Sequence, residues 1–296
     1  MNKWTAAAMP ELTGRTAVVT GATRGIGLIV AREFAKAGAR TILAVRDTAH
    51  GVRAASQLSG ITEVERLDVS DLASVRDFAA RWDGPLDILV NNAGIMDVPL
   101  QRTADGFDVQ TATNALGPFL LTNLLLDHIT DRIVWVTSQL HRMAHAHPED
   151  LAWHDRPYKP MDAYTESKLD IVLFSYELQR RLTAAGSPVR SILAHPGIAT
   201  TSLAAHSSSN FINHLPFLLN DAEHGALPTL YAATQDLPGN AYVGPRGLGS
   251  IKGYPKVRKP GRAGLDPAAA SQVWAAAREL TAVPALQGET DTMPGR

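Results

Sequence analysis

The stretch RTAVVTGATRGIGLIVAREFAKAGARTILAV, residues 15–45, constrains the fold more than any other part of the chain. TAVVT is a short β-branched run of the kind that suits a buried strand. From Ile26 to Ala37 the apolar residues recur at helical spacing, and Gly38 stands where a C-cap glycine ends a helix. TILAV then gives a second strand. Strand, glycine turn, helix and strand in this order form one parallel crossover unit, which needs a sheet covered on both faces.

The rest of the chain repeats the alternation. VERLDV reads as a third strand, with Ser70 capping a helix that carries Leu72, Val75, Phe78 and Trp82 on one face. LDILVNNAG, DRIVWVTS and VRSILAHPG read as the fourth to sixth strands, and NAYVGP as a short last one. The pattern predicts one doubly wound, mostly parallel α/β sheet of about seven strands, with ligands at the strand C-termini. Residues 1–13 read as a polar lead-in, 14–285 as a single catalytic domain and 286–296 as a flexible tail. Within the domain, 202–264 reads as substrate-side lid and loops. GPRGLGSIKGYPKVRKPGRAG, residues 244–264, is loop-like; a final helix follows with Asp266 as cap and Pro267 at its first position.

Composition narrows the function classes. The 28 basic and 29 acidic residues nearly balance, which gives no electrostatic pull toward nucleic acid or an anionic membrane. With no cysteine, disulfides, thiol catalysis and thiolate metal sites are excluded. MNKWTAAAMPEL lacks the apolar core of a signal peptide, and ALGPFLLTNLLL is too short to span a bilayer. The expectation is a cytoplasmic enzyme.

In TGATRGIG, Gly21, Gly25 and Gly27 lie between strand and helix, where backbone amides can approach a pyrophosphate. Their alternative role is a plain tight turn. Arg46 ends the second strand, where an acidic residue would favour NAD and an arginine accepts a 2′-phosphate. With Arg24 in the loop it would make a charge-assisted clamp, so the expectation is NADP over NAD. Asp47 is either a helix cap or a ribose ligand. Tyr164 and Lys168, four apart in YTESK, share a helix face, and an ammonium beside a phenol lowers its pKa. His141, His145 and His147 precede Pro148 without a fixed carboxylate, and so read as loop rather than metal ligands; His206, His214 and His224 read the same way. SLAAHSSSNFINHLPFLLND, residues 202–221, is a lid over an apolar substrate, a packed helix or a subunit contact.

TGATRGIG, Asp68-Val69, NNAG (Asn91 to Gly94), Asn114, Ser138, YTESK and HPG (His195 to Gly197) occur in the order of the short-chain dehydrogenase/reductase family, which the chain resembles from about Arg15 to Leu203. NNAGIM, DGFDVQTATNALGPFLLTNLLL and ELQRRL are most similar to its retinol-dehydrogenase-like and protochlorophyllide-reductase-like members. The resemblance implies a Rossmann-type fold and NADP-dependent, reversible hydride transfer to a carbonyl. It implies Tyr164 as general acid/base and Lys168 as ribose ligand and depressor of the Tyr164 pKa. Ser138 would polarise the substrate oxygen; Asn114 would hold a helix kink and a water. Asp68 and Val69 would contact adenine, and Asn92, Ala93 and Gly94 would lie along the ribose. Ile198 and Thr201 would receive the carboxamide after Pro196-Gly197, and Thr23 and Ile26 complete the cofactor-binding loop. Thr137 and Pro118 depart from the common family residues without removing a catalytic group. The implied partner is a small-molecule carbonyl or alcohol, and pairing through Leu120–Leu126 and Ile171–Leu178 makes a homodimer the preferred assembly. The competing reading is an NADP-binding sensor or scaffold without turnover, against which the complete Asn114, Ser138, Tyr164 and Lys168 set counts.

Overall fold

The structure, a computed structural model, describes residues 3–197 and 221–283. Eight strands form one sheet in the order β3-β2-β1-β4-β5-β6-β7-β8. They are β1 Thr16–Thr20, β2 Arg40–Val45, β3 Thr62–Arg66, β4 Leu86–Asn91, β5 Ile129–Val136, β6 Arg190–Ala194, β7 Tyr242–Pro245 and β8 Pro255–Arg258. All neighbours pair in parallel except β7 and β8. The winding reverses between β1 and β4, so a crevice opens there at the strand carboxyl ends.

Side chains of successive strand residues alternate between two cores. Val18, Ile42, Leu89 and Trp135 face one side, with helices α3 (Leu72–Ala80), α5 (Gly117–Leu124), α6 (Pro160–Ala184) and α8 (Pro267–Thr281). Val19, Leu43, Val90 and Val134 face the other, with α1 (Gly25–Lys36) and α7 (Ala222–Thr234). The short helix α2 (Thr48–Ala55) flanks β3 on the second side. The expected Rossmann-type doubly wound fold is therefore present.

Four details differ from expectation. The eighth strand, PKVR, lies inside the stretch read as loop; a proline and two basic residues suit an edge strand but hide it in the sequence. The cap of α3 is Asp71, which accepts from Ala73 N and Ser74 N; Ser70 instead binds the Asp68 carboxylate. The lead-in is docked: Leu12 is buried, and Trp4 meets Tyr231 of α7 edge-on at 5.1 Å. Within 202–264, α7 is a core helix packed on α1, not part of a lid. Residues 202–220 and the tail after 283 lie outside the described residues, as does the choice among lid, packed helix and subunit contact.

The faces expected to pair are covered within the chain. Leu120, Leu121, Leu125, Ile171 and Leu178 are buried, and Trp274 of α8 packs edge-on against Phe119 at 4.7 Å and Phe174 at 6.4 Å. Among the described residues, no helix is long and apolar enough to cross a membrane.

The approach to the site is set by a break in one helix. Asp108 caps the single turn α4 (Val109–Thr111), Ala112–Leu116 winds as a π-helical turn, and α5 resumes with Pro118 in its first turn. A Cβ on Gly117 would sit 1.8 Å from the Val69 carbonyl oxygen, so only glycine lets this helix lie against the segment after β3. The π turn carries Asn114.

Candidate active site

A cleft of about 750 Å³ runs along the strand carboxyl ends at the crevice. Gly21, Thr23, Arg24, Gly25, Ile26, Gly27, Arg46, Asp68 and Val69 line one end, and Asn92, Ala93 and Gly94 line it further along. Thr20 stitches two of these turns: its hydroxyl accepts from Asn92 N and Ala93 N, both at 2.9 Å, while Asn92 Nδ2 donates to Thr20 O. A Cβ on Gly27 would fall 2.4 Å from Asn92 Nδ2 and 2.7 Å from Gly21 O. No described side chain caps α1, which leaves its first-turn amides for an anion. Arg24 and Arg46 are exposed and make no ion pair among the described residues. Asp47, the open case, accepts from His50 N as the cap of α2. An uncapped helix start, the close-approach glycines and the free cations fit a nicotinamide dinucleotide.

The other end brings a hydroxyl, a phenol and an ammonium together. Ser138 follows β5; Tyr164 and Lys168 project from one face of α6. All three line the cleft with His195, Pro196 and Gly197 from the end of β6. Tyr164 is 5% exposed and Lys168 is 4% exposed. Lys168 Nζ lies 5.8 Å from the Tyr164 ring centre and donates to Val136 O at 3.2 Å. Thr137 Oγ1 donates to Lys168 O at 2.7 Å, tying strand end to helix. Asn114 stands behind the cleft. Its Oδ1 accepts from Ile95 N at 2.8 Å, and its Nδ2 donates to Ile95 O and Ser167 Oγ, both at 2.9 Å. A Cβ on Gly94 would come 3.2 Å from Asn114 Oδ1 and 3.3 Å from Lys168 Nζ, which places these groups side by side.

Burial, not the ammonium, dominates the electrostatics. It pushes the Tyr164 phenol up, with a partly offsetting hydrogen bond from Ser138, and drives Lys168 down to about 8. The expected depression of Tyr164 by Lys168 does not appear: burial raises the phenol, and the offsetting influence is the Ser138 hydrogen bond. A phenol held protonated is a proton donor.

Ile198 and Thr201 lie outside the described residues. Tyr158 is engaged elsewhere: it accepts from Gln110 Nε2 at 2.7 Å, and burial pushes it up to about 12. His147 pairs with Glu149, and among the described residues no cluster of three His, Cys, Asp or Glu side chains is placed to hold a metal. Two histidines carry more than their sequence reading. His141 is fully buried, and His195, read only as the start of HPG, is 1% exposed; both bind the backbone beside Ser138. The available signal was the separation of three residues from Ser138 to His141, within reach of a side chain folding back on the preceding carbonyl.

Comparison with known proteins identifies the family. The short chain dehydrogenase family model matches residues 15–211. Human retinol dehydrogenase 13 is 36% identical, over 96% of this chain and 89% of its own length. Mouse polyprenol dehydrogenase is 39% identical, over 76% and 73%. The crystal structure of an uncharacterized protein from Mycobacterium paratuberculosis is 47% identical and superposes with a TM-score of 0.85, over 95% of this chain and 98% of that one. The chain belongs to the short chain dehydrogenase family, in its retinol-dehydrogenase-like subgroup, and is an oxidoreductase that works with a nicotinamide cofactor and a small-molecule substrate.

Proposed function

We propose that this enzyme interconverts bulky, apolar aldehydes or ketones and their alcohols with NADP(H), using Tyr164 as general acid/base. The observation that carries this reading is the convergence of Ser138, Tyr164 and Lys168 at one end of a cleft whose other end offers two arginines without an ion pair among the described residues. NADPH, when bound, supplies the hydride. Arg24 and Arg46 bind its 2′-phosphate, Asp68 and Val69 its adenine, and Asn92, Ala93, Gly94 and Lys168 its riboses. Pro196 and Gly197, followed by Ile198 and Thr201, hold the carboxamide side.

In reduction the Ser138 hydroxyl donates a hydrogen bond to the substrate oxygen as negative charge grows there. The Tyr164 O–H bond breaks and its proton passes to that oxygen. The phenolate left behind is stabilised by the Lys168 charge; oxidation runs the same steps backward. Asn114 spends its amide on Ile95 and Ser167, and so fixes the wall beside Lys168.

The substrate side of the cleft is apolar: Met96, Val98, Val109, Leu140, Met161 and Ile251 line it. Retinol and polyprenol, named in two relatives, are long apolar alcohols, which supports the same class here. NADPH absorbance followed with retinaldehyde and with a small polar ketone tests this. The expectation is at least ~100-fold higher kcat/KM for retinaldehyde, since a few buried methylenes at about 0.8 kcal/mol each supply it. Preference for the small ketone contradicts the substrate class.

A further inference from the structure

The peptide group between Ser138 and Gln139 is held at both ends by buried imidazoles. His141 Nδ1 lies 2.5 Å from Ser138 O, and Gln139 N donates to His195 Nδ1 at 3.2 Å. The far nitrogens are also engaged. Gly261 N donates to His141 Nε2 at 2.8 Å, and His195 Nε2 lies 3.1 Å from Ser250 O.

These contacts assign both protons. A backbone N–H can only donate, so His141 Nε2 and His195 Nδ1 are bare acceptors. Each ring is neutral, and its proton is on the other nitrogen, facing a carbonyl: Ser138 O for His141, Ser250 O for His195. Burial supports neutrality, lowering His141 and driving His195 to about 3. The two rings are therefore opposite tautomers acting on one peptide plane. Tyr242 packs on both, stacked 6.4 Å from His195 and edge-on 5.7 Å from His141, and its hydroxyl donates to Gln139 Oε1.

We propose that His141 and His195 are a pair of positioning residues that clamp the Ser138–Gln139 peptide and so aim the Ser138 hydroxyl. The clamp reaches the substrate side of the cleft. Ser250 sits between cleft residues Gly249 and Ile251, and its hydroxyl accepts from Arg258 Nε at 2.8 Å and Nη2 at 2.6 Å. The same hydrogen bonds tie the Ser138 segment to the Ser250 turn, which Arg258 of β8 holds, and to the Gly261 turn. The inference rests on the role proposed for Ser138.

Asparagine and glutamine separate the two nitrogens of each ring. Asparagine replaces the near nitrogen, which meets the clamped peptide; glutamine replaces the far one. kcat is measured for NADPH-driven reduction of retinaldehyde, normalised to NADPH-binding sites counted by fluorescence titration, so that unfolded protein does not enter. At both positions the conservative variants His141→Asn and His195→Asn should keep kcat within about 3-fold, while His141→Gln and His195→Gln lose about 10- to 100-fold with KM and NADPH affinity unchanged. In a Ser138→Ala background the glutamine variants should cost less than about 2-fold more, since the clamp acts only through that hydroxyl. Equal losses for asparagine and glutamine, or an undiminished glutamine effect without the Ser138 hydroxyl, overturn the clamp. Full kcat in Ser138→Ala alone overturns the role of Ser138 itself, a separate outcome.

Discussion

Replacing Lys168 by methionine should stabilise the cofactor-free protein while destroying its turnover. The lysine is 4% exposed and among the described residues has one hydrogen bond, to Val136 O, to compensate for a buried charge. Burial takes its pKa from 10.5 to about 8. The folded pKa is below the unfolded one, so the unfolded chain binds more protons, and wild-type stability rises as pH climbs from about 8 to 10.5. At 1.36 kcal/mol per tenfold change in proton affinity, folding at pH 7 carries a penalty of about 3 kcal/mol from this group. Methionine keeps the apolar stem and removes that penalty, at the cost of about 1 kcal/mol for the lost hydrogen bond. The net gain is about 2 kcal/mol at pH 7, and it shrinks to about zero by pH 10 as the wild-type lysine folds neutral. Urea unfolding of both proteins at the two pH values reads this directly. A methionine variant less stable at pH 7, or a gap independent of pH, refutes the assignment of Lys168 as a buried, poorly compensated cation held for chemistry.

Three further outcomes follow from the same geometry. Arg24→Ala and Arg46→Ala should each raise the NADPH Kd by about 10-fold or more while leaving NADH nearly unchanged, the loss expected for a charge-assisted hydrogen bond to the 2′-phosphate; isothermal titration with both cofactors decides it. Gly27→Ala should abolish binding of either cofactor, because its Cβ would lie 2.4 Å from Asn92 Nδ2; fluorescence titration checks this, and normal affinity would contradict the tight turn. Reductive kcat/KM should fall as pH rises through about 8, where Lys168 loses the charge that stabilises the Tyr164 phenolate; a profile flat to high pH would remove that role.

Much of this architecture was legible because periodicity and glycine placement report local backbone needs. The helix over Gly25–Lys36, its end at Gly38 with φ near 95° and the Asp266 cap all follow from short-range rules. Strand β8 was not legible, since PKVR has the composition of a loop and is a strand only because β7 pairs with it. The docking of Trp4 and the cover that α8 places over α5 and α6 are likewise tertiary facts. At the site, the residues were readable but their electrostatics were not. A tyrosine and lysine at helical spacing suggest a depressed phenol, whereas the phenol's burial raises it. The histidine clamp needed coordinates, because Ser250 and Gly261 are more than a hundred residues from Ser138 in sequence but adjacent in space.

The proton transfer assigned to Tyr164 is tested most directly by single-turnover reduction of retinaldehyde in wild type and Tyr164→Phe, each preloaded with NADPH. Phenylalanine keeps the ring and removes only the hydroxyl. The expected result is a loss of about 100- to 10,000-fold in the rate of NADPH oxidation, the range for removing a general acid, with NADPH affinity unchanged. A variant that turns over near the wild-type rate contradicts the mechanism.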